Sequence, residues 1–233
     1  MQIENTHDRQ LETLRVYGRL VGERDEWGGG LVLCCGEGCA ASGTPTAVSI
    51  AGGTTLVLDG DAAVKSAMRR GELDFVVNSL DEALRALKNE VRLRRPLSVG
   101  LIADVDAVLR EMVERGVLPD RLMIGANQNA QAIAQNESIR ALQSAGMRLR
   151  SMVNADGERS DTGIADKRFK EVYLPVANAV ELRGLDEKVL EILPPEDLIR
   201  RRWMQRVAKY LREARSGGRW VWLTEEERQR ICG

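Results

Sequence analysis

Histidine is almost absent from this sequence: its 233 residues contain one, His7, in a polar N-terminal stretch. A metal site built from several histidines is therefore excluded within one chain, and a histidine-activated serine or cysteine would have to recruit a residue from the terminus. The four cysteines, Cys34, Cys35, Cys39 and Cys232, lack the paired Cys-x-x-Cys spacing of zinc sites, so we expect no metal site. We interpret the first three as small residues packed in a strand and a turn, in a protein from a reducing compartment.

A surplus of charge of either sign is also missing, since 34 Lys and Arg residues stand against 35 Asp and Glu residues. This balance gives no electrostatic reason to expect nucleic acid or a membrane as a partner. Apolar runs such as Leu31–Cys35 are far shorter than the ~20 residues of a membrane span, and the polar N-terminus carries no apolar signal core. We therefore expect a cytoplasmic protein whose length suits one large domain or a domain with an appendage.

Short apolar runs alternate with helical patterns along most of the chain. The predicted strands are Leu31–Cys35, Thr54–Leu58, Phe75–Val77, Leu97–Ile102, Arg121–Ile124 and Arg148–Val153. The predicted helices among them are Asp8–Gly22, Pro45–Gly52, Ala62–Arg70, Ser79–Val91 (opened by a capping box of Ser79 and Glu82), Asp104–Gly116 and Glu137–Ala145. Strands and helices that alternate at this spacing indicate an α/β fold, a doubly wound (Rossmann-like) parallel sheet with helices on both faces.

The chain is predicted to divide into three segments. These are an N-terminal helix (1–27), a Rossmann-like dinucleotide-binding core (28–153), and a polar loop with a mainly helical C-terminal segment that packs on the core (154–233). In the last segment we predict helices at Leu185–Leu193 and Glu196–Arg215, and a strand at Trp220–Leu223. The run Arg200-Arg201-Arg202 is interpreted as a solvated helix face.

A glycine-rich turn directly after the first strand carries the strongest local signal. Gly36-Glu37-Gly38-Cys39-Ala40-Ala41 is a G-x-G-x-x-A pattern, and Asp59 closes the next strand. Glycines let the backbone approach a pyrophosphate, a helix N-terminus supplies N–H groups, and an acid accepts hydrogen bonds from a ribose diol. The pattern predicts a nucleotide site that extends through Ser42, Gly43 and Thr44; a glycine turn that binds nothing is the alternative.

The crevice of such a sheet lies at the carboxyl ends of its strands. Besides the glycine turn and Asp59, that edge collects Asn78, Asp104 with Val105, and the polar run Asn127-Gln128-Asn129. The amide run is either part of a ligand site or a solvated loop that caps the next helix.

Further segments strengthen one family resemblance. They are Gly36–Pro45, Leu56–Asp59, Ser79–Leu84, Arg95–Leu101 and Arg115–Asp120, and, after the polar loop, Asp186–Val189, Ile192–Pro194, Trp203 and Arg230–Cys232. In this order they resemble the inserted NAD-binding domain of urocanate hydratase (urocanase). The resemblance covers residues from about 28 to 233, with a gap around 135–170.

The resemblance implies a cofactor and positions for it. Urocanases use tightly bound NAD+ as an electrophile and add water to urocanate, a hydro-lyase step of histidine catabolism. Asp59 stands where the family has a glutamate that holds the adenosine ribose, and Cys39-Ala40-Ala41 stands where it has Gly-Met-Gly at the phosphates. Asp104-Val105 replaces Asn-Ala, and Asn127 lies in the segment that packs around NAD. Cys232 matches the family's reactive cysteine and is the one catalytic candidate.

Two departures from the family shape the functional expectation. Ala63 replaces a basic residue near the cofactor, and Ile124–Asn129 replaces Asp-Gln-Thr-Ser-Ala-His. We also expect the family's first and C-terminal domains to be absent. The sequence thus predicts a stand-alone urocanase-like domain that binds NAD or a related nucleotide or phosphate ligand and is not catalytic alone. The alternatives are a urocanate hydratase completed by a homodimer or partner chain, and a scaffold protein that binds no nucleotide.

Overall fold

Strands and helices alternate through a computed structural model that describes residues 2–125, 135–151, 166, 168–211 and 217–233. The strands are β1 (Leu31–Cys35), β2 (Thr54–Leu58), β3 (Phe75–Val77), β4 (Leu97–Leu101), β5 (Arg121–Ile124), β6 (Arg148–Ser151), β7 (Lys170–Pro175) and β8 (Gly218–Leu223). The helices are α1 (Gln2–Val21), α2 (Thr44–Ala51), α3 (Asp61–Arg70), α4 (Leu80–Leu93), α5 (Val105–Glu114), α6 (Glu137–Ser144), α7 (Ala179–Ile192), α8 (Leu198–Tyr210) and α9 (Glu225–Cys232). A short 3₁₀ helix, Cys39–Ala41, precedes α2.

The first six strands form one parallel sheet in the order β3-β4-β2-β1-β5-β6. Each neighbouring pair is parallel, as where Leu31 lies opposite Thr54 and Val32 lies opposite Arg121. Parallel neighbours require crossover connections, which the helices provide. The predicted α/β, doubly wound, Rossmann-like fold is confirmed. Among the described residues, no helix combines the length and the apolar composition needed to cross a membrane.

Two hydrophobic cores lie on the two faces of this sheet, and β1 contributes to both. Val32 and Cys34 belong to the core that also contains residues of α1, α2, α3 and the C-terminal segment. Leu31, Leu33 and Cys35 belong to the core that contains residues of α4, α5 and α6. Successive side chains of a strand point to opposite faces, so an uninterrupted apolar run is what a strand covered on both faces requires.

A crevice is expected where the chain leaves β1 and β5 in opposite directions. From β1 the chain continues to β2 on one side, whereas from β5 it continues to β6 on the other side. Diverging connections of this kind leave room at the carboxyl ends of the two strands. Gly36 follows β1 and Gly125 follows β5 at this point.

The C-terminal segment contains a two-stranded antiparallel sheet of β7 and β8. Strand β7 was not predicted, because Lys170–Pro175 is mostly exposed or half-buried and shows no clear apolar run. Helix α9 was not predicted either; its eight residues are mostly charged, and it begins at a Thr224–Glu227 capping box. The helix predicted over Glu196–Arg215 was too long, since α8 begins after its N-cap Asp197 and ends at Tyr210.

Helix α1 begins at Gln2, earlier than the predicted Asp8, and it connects the two ends of the described chain. The side-chain oxygen of Gln10 accepts a hydrogen bond from the Trp220 N–H at 2.5 Å, and its amide nitrogen donates to the Gly218 carbonyl at 3.4 Å. Unpaired polar groups at a buried strand edge are costly. The side chain of Gln10 therefore takes the place that a third strand would have beside β8.

The run Arg200-Arg201-Arg202 is not a solvated face, as the sequence suggested. The side chain of Arg200 is 3% exposed and lies between α8 and α9, where it donates to the carboxylate of Glu227 at 2.6 and 3.0 Å. Arg201 donates to the carbonyls at the end of α7, and Arg202 donates to the Asp25 carbonyl. Each of the three guanidinium groups thus joins α8 to another part of the fold.

Candidate functional site

The turn after β1 adopts a backbone conformation that favours glycine. Gly36 and Gly38 have φ angles of 103° and 89°. No heavy atom lies within 4 Å of the position that a Cβ on Gly38 would occupy. Glu37 and Ala41 are exposed, and Gly38 between them is half-buried. A ligand can therefore approach the backbone of the turn at Gly38.

The base of the turn is held between the ends of β2 and β5. The Gly36 N–H donates to the Leu58 carbonyl at 3.0 Å, and the Gly125 N–H donates to the Cys35 carbonyl at 3.0 Å. A Cβ on Gly125 would overlap the carbonyl oxygen of Glu37. The glycine after β5 is thus required because the turn packs directly on its backbone.

Asp59 lies directly against this turn. Asp59 is the first residue after β2, and it is 7% exposed. One carboxylate oxygen accepts a hydrogen bond from the Ala40 N–H at 2.9 Å, and the other accepts one from the Gly60 N–H at 2.7 Å. A carboxylate offers about four lone-pair positions, so these two bonds leave some acceptor capacity. The sequence placed Asp59 and the glycine turn at one edge, and in the structure they are in direct contact.

Three cysteines are free, fully buried thiols at the turn: Cys34 and Cys35 end β1, and Cys39 lies within the turn. The Cys39 thiol donates to the Met123 carbonyl at 3.8 Å. Burial, and a hydrogen bond with the Cys34 thiol, raise the pKa of Cys39 well above its ordinary value, and burial does the same to Cys35. The thiolate is the reactive form of cysteine, so Cys35 and Cys39 are inert packing residues at neutral pH.

The N-terminus of α2 is covered by α1. A Cβ on Gly43 would lie 3.1 Å from the Cα of Thr13, so the two helices touch through their backbones. Ser42 and Thr44 are buried, and the Ser42 hydroxyl donates to the Cys39 carbonyl at 2.8 Å. The sequence reasoning assigned this helix end to the phosphates and missed Thr13, whose only signal is a small polar residue within the apolar face of α1. The open part of the turn is therefore its first half.

The other predicted site residues are more scattered. The Asp104 carboxylate accepts a hydrogen bond from the Ala107 N–H at 2.8 Å and so caps α5, where half-buried Val105 is the first residue. Both follow β4, which is separated from β1 by β2. Asn127 lies outside the described residues. Cys232 is exposed at the end of α9, a helix that packs on α7 and β8 rather than on the glycine turn.

The described charges around the turn are mainly acidic. Glu37, Asp59, Asp61 and Asp104 all lie near the carboxyl ends of the strands, and Lys65 is paired with Asp61 at 2.8 Å. In the part of the chain that the structure describes, no group of three or more His, Cys, Asp or Glu residues is placed to hold a metal ion. A phosphate at this edge would therefore depend on backbone N–H groups rather than on cationic side chains.

A family model matches much of this chain. The model describes the urocanase Rossmann-like domain, and it matches residues 10–133. The matched range begins within α1 and runs through β1–β5, so it includes the glycine turn, Asp59 and Asp104. The family indicated by the sequence motifs is confirmed. The resemblance noted between 170 and 233 lies outside the matched range and stays a prediction.

Proposed function

Because the chain belongs to the urocanase family, we propose that it binds NAD or a closely related nucleotide at the carboxyl edge of its parallel sheet. The observation that carries the proposal is the open backbone at Gly38, in a turn that directly contacts the acidic residue at the end of β2. The urocanase Rossmann-like domain is the NAD-binding region of its family, and the glycine turn lies within the matched range.

The residues of the turn are suited to a phosphate group. The absence of a side chain at Gly38 allows a phosphate oxygen to approach the main chain there. The N–H groups of Gly36, Cys39, Ala40 and Ala41 already donate within the protein, so a phosphate would bind at Gly38 rather than along the whole turn. Asp59 retains acceptor capacity beyond its two backbone bonds, so the prediction that it contacts a ribose stays open to test. When bound, NAD+ supplies an electrophilic nicotinamide ring, and the protein residues bind and orient it.

We further propose that this chain does not hydrate urocanate by itself. The segment Ile124–Asn129 contains no titratable side chain where the family has acidic and histidine residues. Cys232, the one catalytic candidate, lies on α9, and the buried thiols of Cys35 and Cys39 remain protonated at neutral pH. A homodimer or a partner chain that supplies acid–base groups would be needed for turnover.

A pair of glycine variants tests the binding proposal. Gly38→Ala places a methyl group in the open approach to the turn, whereas Gly116→Ala places one after α5, at the opposite edge of the sheet. Both positions have positive φ angles, 89° and 64°, and both have open space in front of them. Alanine is more strained at Gly38, whose φ lies outside the left-handed region that other residues adopt, than at Gly116, whose φ lies inside it. Stability is therefore measured separately from binding, and only Gly38→Ala blocks the proposed ligand.

Titration calorimetry with NAD and thermal unfolding distinguish binding from stability. We expect both variants to remain folded at the assay temperature, with the larger loss of thermal stability in Gly38→Ala. We expect Gly38→Ala to bind NAD at least tenfold more weakly than Gly116→Ala, a difference of about 1.4 kcal/mol or more. Mass spectrometry of material released from the denatured wild type identifies a retained nucleotide. A wild type that neither retains nor binds a nucleotide, or a Gly38→Ala variant that binds like Gly116→Ala, would contradict the proposal.

A further inference from the structure

We propose that two copies of this chain associate through the edge strand β3, in an antiparallel pair that joins their two parallel sheets. Strand β3 is the outermost strand of its sheet, and it contacts α3 on one face and α4 on the other. Among the described residues no strand pairs with its outer edge. The proposal concerns the assembly of the protein and does not depend on the nucleotide.

The composition of β3 differs from that of the other edge strands in the described part of the chain. It consists of Phe75, Val76 and Val77, and Phe75 is 52% exposed. Soluble proteins commonly protect a sheet edge from other chains with charged residues, proline or a covering segment. Strands β6 and β7 each begin with an exposed basic residue, Arg148 and Lys170. Strand β3 contains neither a charge nor a proline.

The outer edge of β8 is protected in the other way, by side chains of the same chain. Gln10 bonds to the Trp220 N–H and to the Gly218 carbonyl, and Arg200 donates to the Trp222 carbonyl at 3.1 Å. No described side chain closes β3 in this manner. The fold thus protects its other edges and leaves an apolar one available for pairing.

Both helices that flank β3 also expose a large apolar side chain. Met68 on α3 is 40% exposed, and Leu93 on α4 is 47% exposed. Together with Phe75, they place exposed apolar side chains on three consecutive elements at one edge of the sheet. Exposed apolar surface of this kind is typical of sites where another protein binds.

Charge complementarity selects a second copy in the antiparallel orientation. The twofold axis of such a pair is perpendicular to the sheet, so α3 lies antiparallel to the other α3, and α4 to the other α4. Helix α3 has Asp61 in its first turn and Arg69 in its last, and α4 has Asp81 and Arg92 in the same places, all exposed. The acidic end of each helix therefore meets a basic end, whereas a parallel pair would bring like charges together.

The strand itself is also self-complementary. With Val76 opposite its own copy, Phe75 lies opposite Val77 of the second chain, and the symmetry repeats this pair. An aromatic residue opposite a β-branched residue is one of the favourable cross-strand pairs. The two-stranded contact therefore has apolar pairs at its centre and opposite charges on its flanking helices.

Sedimentation velocity of the full chain over a wide range of protein concentration tests the proposal. We expect the wild type to dimerise and Phe75→Glu to weaken the dimer at least tenfold, because its carboxylate would lose water in an apolar contact. The matched control is Val180→Glu, which adds the same charge at a 69% exposed valine on α7 and should dimerise like the wild type. A wild type that stays monomeric, or a Phe75→Glu variant that dimerises like Val180→Glu, would overturn the proposal.

A mixture of two variants tests the antiparallel orientation. In the proposed pair, the two side chains at position 75 are diagonal neighbours on one face, about 7–8 Å apart. Phe75→Glu and Phe75→Lys should each be monomeric where the wild type dimerises, and an equal mixture should recover dimers because opposite charges meet. A mixture that stays monomeric, with both variants folded by circular dichroism, would refute the antiparallel pair.

Hydrogen exchange of the wild type needs no substitution. The amides of β3 should exchange more slowly as the dimer forms, and those of α7 should not change. Equal exchange of β3 in monomer and dimer would place the contact elsewhere and overturn the proposal.

Discussion

Replacing Arg200 with methionine removes a charge from the protein interior and keeps much of the side-chain volume. The guanidinium donates to Glu227 at 2.6 and 3.0 Å, to Asp197 at 2.5 Å and to the Trp222 carbonyl at 3.1 Å. The side chain of Glu227 is only 12% exposed, so its carboxylate would be left buried without its cation. Removing one partner of a buried ion pair costs about 3–5 kcal/mol.

Chemical and thermal unfolding followed by tryptophan fluorescence measure this loss, because Trp203 and Trp222 are buried nearby. For a chain of this size, each kcal/mol lowers Tm by about 2–4 °C, so we expect a decrease of about 6–20 °C. Arg228→Met is the matched control, since Arg228 pairs with Glu225 on α9 while both side chains are nearly half exposed. Exposed pairs contribute about 0–1 kcal/mol.

A double variant tests whether the loss comes from the isolated carboxylate. Arg200→Met combined with Glu227→Leu removes both charges of the buried pair, so the Glu227 carboxylate is no longer buried without its cation and part of the lost stability should return. The return is only partial, because Asp197, 21% exposed, loses its cation and the Thr224 N–H loses its acceptor. If Arg200→Met lowers the free energy of unfolding no more than Arg228→Met, the buried ion pair does not stabilise the fold as expected. In that case the apolar contacts of Ile231 and its neighbours would hold α9 without the ion pair.

Two further predictions concern acid stability and turnover. Burial alone would raise the pKa of Glu227, but hydrogen bonds from Arg200 and Thr224 outweigh it and lower the pKa below its ordinary 4.5. The ionised Glu227 carboxylate therefore stabilises the folded protein fully above pH 4.5, and this stabilisation is lost as the pH falls through the lowered pKa of the folded state. The difference in unfolding free energy between wild type and Glu227→Gln should accordingly disappear in acid. Purified protein with excess NAD+ should leave the ultraviolet absorbance of urocanate unchanged; turnover that disappears in Cys232→Ala would instead establish an enzyme.

Much of the parallel sheet could be predicted from the sequence because its signals are local. Strands β1, β2, β3 and β5 have the predicted bounds, since short apolar runs end at glycine or polar residues. The capping box before α4 was only partly right: Ser79 accepts the Glu82 N–H, but the Glu82 carboxylate accepts the N–H of Asn78 rather than that of Ser79. Local spacing identifies a helix start better than it identifies each bond.

The features that sequence reasoning missed depend on distant partners. Strand β7 is defined by its pairing with β8, and the burial of Arg200 depends on the carboxylate of Glu227. At the candidate site, topology alone brings Asp59 to the glycine turn, because the two follow adjacent parallel strands. The packing of α1 against the N-terminus of α2 could not be predicted, because nothing in the sequence near Gly43 indicates which helix contacts that glycine.

The amide of Gln10 has a consequence for the order in which the chain can fold. Its two bonds to β8 join residues that are 208 and 210 positions apart. During synthesis the helix α1 is made well before the strand β8 that it completes. Contacts of such large sequence separation slow folding, because a long loop must close before they form. The parallel sheet and the packing of α1 on α2 can form before β8 is made, so the hydrogen bonds of Gln10 to β8 are among the last contacts of α1 to form.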